Sequence, residues 1–128
     1  MKNLLIIFTL LFSSVFFSSP SYAGWTEVGK NVRGNTYYVD FERIRKVDGF
    51  IYYWELVNYL KPTKNGVLST KMYKQGDCKL FRVKDLNFSS YKEPMGGRTG
   101  KDYTPPDKWT YPHPTSIGET TLKTVCSR

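Results

Sequence analysis

The sequence predicts an α+β fold: an antiparallel β-sheet of about five or six strands with one C-terminal helix, fastened to it by a disulfide. Three observations predict it. Aromatic and β-branched runs are separated by hairpin dipeptides, a capping box stands at Ser116–Glu119, and two cysteines, Cys78 and Cys126, flank the last part of the chain.

The first 23 residues read differently from the rest. Lys2 gives a positive start, Leu4–Phe17 is an apolar core, and Ser21-Tyr22-Ala23 supplies the small residues a signal peptidase needs. The apolar stretch is shorter than the roughly 20 residues of a membrane span. Residues 1–23 are therefore expected to be a cleaved signal peptide and residues 24–128 a single domain. No transmembrane segment is expected after cleavage, and no lipoprotein cysteine follows the apolar core. An uncleaved anchor is the competing reading of the same residues.

Trp25–Val28 opens the domain as a short strand. Gly34-Asn35 turns the chain into "TYYVD", Thr36–Asp40, whose composition favours a strand. Asp40 is a good N-cap for a tight helical turn over Phe41–Lys46, and Asp48-Gly49 signals a hairpin. The longest strand, "FIYYWELVNYL", runs from Phe50 to Leu60. Its even face (Phe50, Tyr52, Trp54, Leu56, Asn58, Leu60) is the more apolar and is expected to meet the core. Pro62 and Asn65-Gly66 end it.

Val67–Tyr73 then returns antiparallel, and Gly76-Asp77 makes a bulge or turn before Cys78. Leu80–Phe88 is the last clear strand, with Leu80, Leu86 and Phe88 on one face and Phe81 and Val83 on the other. Residues 91–114 are rich in Pro and Gly and read as a long loop carrying at most one short strand. The final helix begins at Ser116, with Ile117, Thr121, Leu122, Val125 and Cys126 on one side. So short a helix would not persist alone in water.

Export places both thiols in an oxidising compartment, where a Cys78–Cys126 disulfide is the economical expectation. It closes a loop of about 50 residues, worth about 4 kcal/mol in the chain-entropy account. The spacing is not the C-x-x-C of redox or zinc sites.

The formal charge is +8, and the leader removes one lysine and no acid, leaving +7. Such a balance favours polyanionic partners. Catalytic signals are weak. The segment "GGRTGK" lacks the first glycine and the final hydroxyl of a phosphate loop. A single histidine, His113, is incompatible with a histidine-pair metal site, and no cofactor is implied. Glu55, Arg82 and His113 can be nominated for ribonuclease-like acid–base chemistry, yet nothing in the sequence shows that they converge. Lys71, Lys74, Lys79, Arg82 and Lys84 are dense enough for a basic patch, although export argues against nucleic acid as its target.

Taken together the pieces resemble the surface-adhesin protein E family. The resemblance runs from Trp25 through "YYVD" with Ile44 beyond it, Trp54 and Leu56, Ser69 and Lys71, and Asp77-Cys78. It closes with Pro114-x-Ser116-x-x-Glu119-x-x-Leu122-x-x-Val125-Cys126. It implies a small α+β domain of this design and a non-enzymatic role in binding host extracellular or plasma proteins. The expected function is thus an exported adhesin-like protein whose ligand is a protein or an acidic polysaccharide. Candidate contacts in the long loop are Arg98, Lys101, Tyr103 and Trp109. The alternative is a soluble periplasmic accessory or inhibitor protein. Location beyond export, periplasmic, secreted or surface-associated, is left open, as is the oligomeric state, a homodimer included.

Overall fold

The computed structural model describes residues 24–128, so the expected signal peptide lies outside the described residues. Seven strands form one antiparallel sheet: β1 (Trp25–Lys30), β2 (Thr36–Asp40), β3 (Arg45–Val47), β4 (Phe50–Asn58), β5 (Ser69–Asp77), β6 (Arg82–Tyr91) and β7 (Lys101–Tyr103). The order is β1-β2-β4-β5-β6-β7. β2 pairs with the second half of β4 through Thr36–Val39, while β3 pairs with its first half along the same edge. Helix α1 (Ile117–Cys126) follows the last loop.

Asp40 does open a turn, as expected, but the turn is a single 3-10 turn over Phe41–Arg43 with the Asp40 side chain accepting from the Glu42 amide. The chain then straightens into β3, a strand hidden in the sequence by its short, charged "RKV". Asp48-Gly49 makes the β3–β4 hairpin, with Asp48 at φ 51° and Gly49 at φ 83°, the left-handed pair that the dipeptide favours.

The structure reverses the expected facing of β4. The odd residues Ile51, Tyr53, Glu55 and Val57 are buried, whereas Phe50, Tyr52, Trp54 and Asn58 on the even face are only partly covered. Of the even set Leu56 alone is buried, and Leu60 lies beyond the strand, 66% exposed. The reason is on the neighbouring strand. Gly76 pairs with Ile51, and the space a side chain would take there is filled by Leu122 of the helix. The small residue, not the summed hydrophobicity of β4, decides which face the helix covers.

Beneath α1 the core consists of Val39, Ile51, Tyr53, Leu122 and Val125, with Val28, Phe41, Ile44, Phe81 and Cys126 packed around it. The Ser116 hydroxyl accepts from the Glu119 amide at 3.1 Å. The Glu119 carboxylate reaches back to the Thr115 amide. The helix ends at the disulfide Cys78–Cys126, whose Cα atoms are 5.8 Å apart. Ile117 packs beside Gly29 of β1 at the other end, so the helix lies across the sheet from β1 to the end of β5.

β6 also departs from its predicted pattern. A bulge opposite Tyr73 and Lys74 leaves Leu86 without a register partner. Alternation breaks there, so Val83 and Phe88 pair with Gly76 and Met72 on the same face. Leu80 falls in the preceding turn and is exposed.

Candidate functional site

The face of the sheet away from α1 carries an unusual mixture of rings and cations. Strand pairing puts Trp25 beside Asp40, Trp54 beside Tyr73, and Lys71 between Leu56 and Ser89. Trp54 and Tyr73 meet in a tilted pair with centroids 4.8 Å apart, and Tyr52 stacks on the same Tyr73 at 6.2 Å. The Arg45 guanidinium lies over Tyr52 at 5.8 Å.

Two segments of the long loop fold over this face and leave a groove between them. At one end Met95 is held by Asn58, whose side-chain oxygen accepts from the Met95 amide at 2.7 Å. The Ser69 hydroxyl donates to the Glu93 carbonyl at 2.5 Å and accepts from the Gly96 amide. At the other end Trp109 stacks on Phe50 at 5.8 Å. Arg82 and Lys84 stand over the Trp109 ring at 4.3 and 4.9 Å, and Thr110 bridges to Val83.

Between these two covers is a cavity of about 300 Å³ lined by Trp25, Asp40, Arg43, Trp54, Lys71, Ser89 and Tyr91. That volume is at the lower end of the range for ligand sites. Asp40 is buried and already engaged, by the Glu42 amide and by the Arg43 guanidinium at 2.5 Å. Ser89 donates to Asp102. Lys71 is different: its ammonium lies 5.1 Å from the centre of the Tyr91 ring, and no carboxylate among the described residues forms an ion pair with it. The groove therefore offers two indole faces, a phenol ring and a cation that lacks a fixed counter-charge, which suits an acidic ligand with some flat or apolar surface.

The four loop residues singled out from the sequence do not form one cluster. Trp109 belongs to the Phe50–Arg82 end of the open face. Lys101 and Tyr103 lie on the edge strand β7, the ammonium 5.7 Å from the ring centre. Arg98 is exposed and paired with Glu93 at 2.8 Å. They are strung along the β6 side of the sheet.

Sequence reasoning had the groove residues Trp54 and Lys71 in view but did not join them, because it turned the even face of β4 inward. The signal that finds the face is the contrast on β5, where Thr70, Met72 and Gly76 alternate with Lys71, Tyr73 and Gln75.

The basic run on β5 and β6 divides between the two faces. Lys71, Arg82 and Lys84 face the groove side, whereas Lys74 lies on the helix side, paired with Glu55 at 2.9 Å and Asp85 at 3.4 Å. The ribonuclease trio is likewise separated. Glu55 is buried on the helix side, Arg82 is on the open face bound to Asp77 at 3.0 Å, and His113 is exposed before α1. Among the described residues, no group of His, Cys, Asp and Glu is arranged to hold a metal ion. None of their helices is long and apolar enough to cross a membrane.

The model of the family described as surface-adhesin protein E matches residues 25–127. The chain belongs to the surface-adhesin protein E family. Solved structures agree on the fold. Crystal form II of Haemophilus influenzae protein E is 20% identical with a TM-score of 0.61, covering 86% of this chain and 92% of that one. Protein E from non-typeable Haemophilus influenzae gives 19% and 0.55, covering 86% and 77%. No curated protein matches the chain. Membership of this family supports an adhesin-like binding role for the chain.

Proposed function

We propose that the open face of the sheet is the recognition surface of this surface-adhesin E protein. Its ligands are acidic stretches of host extracellular or plasma proteins, or acidic polysaccharides. The observation that carries this reading is Lys71, a cation set among Trp25, Trp54 and Tyr91 with no carboxylate of its own. An incoming carboxylate or sulfate takes that position while the indoles cover the apolar part of the ligand. The net charge, +7 once the leader is removed, brings anionic partners to it over a longer range. Arg98, Lys101, Tyr103 and Trp109, along the β6 side, extend the contact for a larger partner. The domain works outside the cytoplasm, reached through the leader in residues 1–23, and the disulfide is matched to that oxidising setting. The role is binding, without catalysis.

Binding to immobilised extracellular-matrix proteins, with soluble acidic polysaccharide as competitor, tests the reading. Trp54→Ala combined with Lys71→Glu is expected to weaken binding by about tenfold or more, as the loss of a central anchor does. Arg98→Glu with Lys101→Glu should weaken it less. Wild-type affinity in the groove variant would sink the assignment. Protease treatment of intact cells, against a lysed control, reports whether the domain is displayed outside.

A further inference from the structure

Two cross-strand rows of the open face build the groove around Lys71. Trp25 pairs with Asp40 across β1 and β2, and Trp54 with Tyr73 across β4 and β5. Val39 pairs with Glu55, and the same register carried one residue further sets Asp40 beside Trp54, between the two indoles. In the next row Lys71 pairs with Leu56 on one side and Ser89 on the other, and Ser89 pairs with Asp102 of β7. A carboxylate thus stands on each side of the lysine, Asp40 toward β1 and Asp102 toward the opposite edge.

The groups are held in place before any ligand arrives. Gly96, at φ 67°, lies against the Lys71 methylene chain, and Gly100 lies against the Tyr91 ring; a Cβ at either glycine would collide. Asp40 is 2% exposed yet lines the cavity. Its carboxylate accepts from the Glu42 amide and from Arg43, which leaves about two of its four lone-pair sites unused. The Arg43 side chain is 69% exposed and keeps donors of its own. The pair is neutral overall and offers an acceptor beside a donor, which a single hydroxyl can use together.

We propose that the groove takes a disaccharide unit of a carboxylated glycan, with an acid sugar at Lys71 and a neutral sugar at the Asp40–Arg43 pair. The assignment rests on the open face being the recognition surface and names what that surface reads. Asp40 and Lys71 stand on strands two spacings apart, about 10 Å, a separation that two linked sugar rings span. The carboxylate meets the Lys71 ammonium, the flat C–H faces of the rings lie on Trp25 and Trp54, and hydroxyls donate to Asp40 and accept from Arg43. The two flanking carboxylates select a sugar over an acidic peptide. A run of Asp or Glu would set further negative charges against Asp40 or Asp102, and like charges brought together out of water are costly. The neighbours of an acid group on a sugar are hydroxyls, which bind such carboxylates.

The three tryptophans make the test direct, because NMR resolves one indole N–H signal for each. Titration of the purified protein with an oligosaccharide alternating glucuronate and N-acetylglucosamine should shift the Trp25 and Trp54 signals. Trp109, stacked on Phe50 at the other end of the face, should stay in place and reports an intact fold in every variant. The N-acetylglucosamine oligomer of equal length has no acid and should bind about tenfold more weakly, the loss of one charge-assisted hydrogen bond. Lys71→Gln should erase that difference, whereas Arg43→Gln should weaken both glycans alike, by about fivefold. Equal binding of the two glycans to wild type, or a difference that survives Lys71→Gln, would overturn the proposal. A glutamate tetrapeptide that moves Trp25 and Trp54 where the acidic glycan does not would also overturn it, with the recognition face left standing. If no probe moves either indole, that face falls as well.

Discussion

The Lys74 ammonium lies 2.9 Å from a Glu55 carboxylate oxygen on the helix-side face of the sheet, where both side chains are largely shielded from water. Burial alone lowers a lysine's pKa, but Glu55, Tyr53 and Asp85 together outweigh it and hold Lys74 above its ordinary value. A raised pKa contributes stability that is complete below the ordinary value and is lost only as pH climbs through the raised one. The pair is therefore intact throughout the neutral and mildly alkaline range.

Lys74→Met leaves Glu55 buried without a partner. Breaking a buried pair from one side costs about 3–5 kcal/mol, and urea unfolding at neutral pH should show a loss of that order. A loss under about 1 kcal/mol at pH 7 would show that water already reaches the pair.

Removing the covalent tie by Cys78→Ser with Cys126→Ser should lower stability by about 4 kcal/mol on the chain-entropy account. Amide exchange locates the effect: protection in Ile117–Cys126 should fall before protection in β4 and β5. If the helix amides remain as slow as in the oxidised protein, packing of Leu122 and Val125 holds the helix by itself.

Two glycine-to-alanine changes should act with opposite sign. At Gly76 a Cβ would sit 2.8 Å from Ile51 Cγ2 and 3.0 Å from Leu122 Cδ1. Overpacking of this kind costs about 1–3 kcal/mol. At Gly118, in the first turn of α1, the nearest atoms are at ordinary contact distance. Alanine there should stabilise by up to about 1 kcal/mol through helix propensity. Thermal unfolding of the two variants side by side is sufficient, and a shared sign would count against the packing described.

Asp77 governs the acid limb. Its carboxylate accepts from the Leu80 amide, from Arg82 and from the Lys79 amide, which together hold its pKa below the ordinary 3.8. A depressed carboxylate stabilises above its ordinary value, and that contribution disappears as pH falls through the lowered one. Stability should therefore drop below about pH 4, and Asp77→Asn should flatten the slope in that window. An unchanged slope would assign the acid sensitivity to another carboxylate.

Much of the fold was legible because its signals are local. Asp48-Gly49, the Ser116–Glu119 capping box and the pairing of the two cysteines each act within one turn or through one bond. What escaped was set between strands. The facing of β4 depends on Gly76 of the next strand, and the alternation of β6 depends on a bulge that appears only in its pairing with β5. β3 is three residues of charge and valine, held by β4 rather than by its own propensity. The groove suffered most, since Trp25, Trp54, Lys71 and Tyr91 come from four strands and no segment of sequence contains it. The loop drew attention by its composition, and its Trp109 does reach the open face.

The Cys78–Cys126 bond has a last consequence for durability. β6, β7 and the whole Pro- and Gly-rich segment lie inside the covalent ring that it closes. Residues 106–108 are exposed, so a protease can cut the backbone there without releasing either piece. A nicked molecule would keep helix α1 joined to the sheet and run as one band until reduced. Wherever proteases reach the domain, the first cut is then survivable.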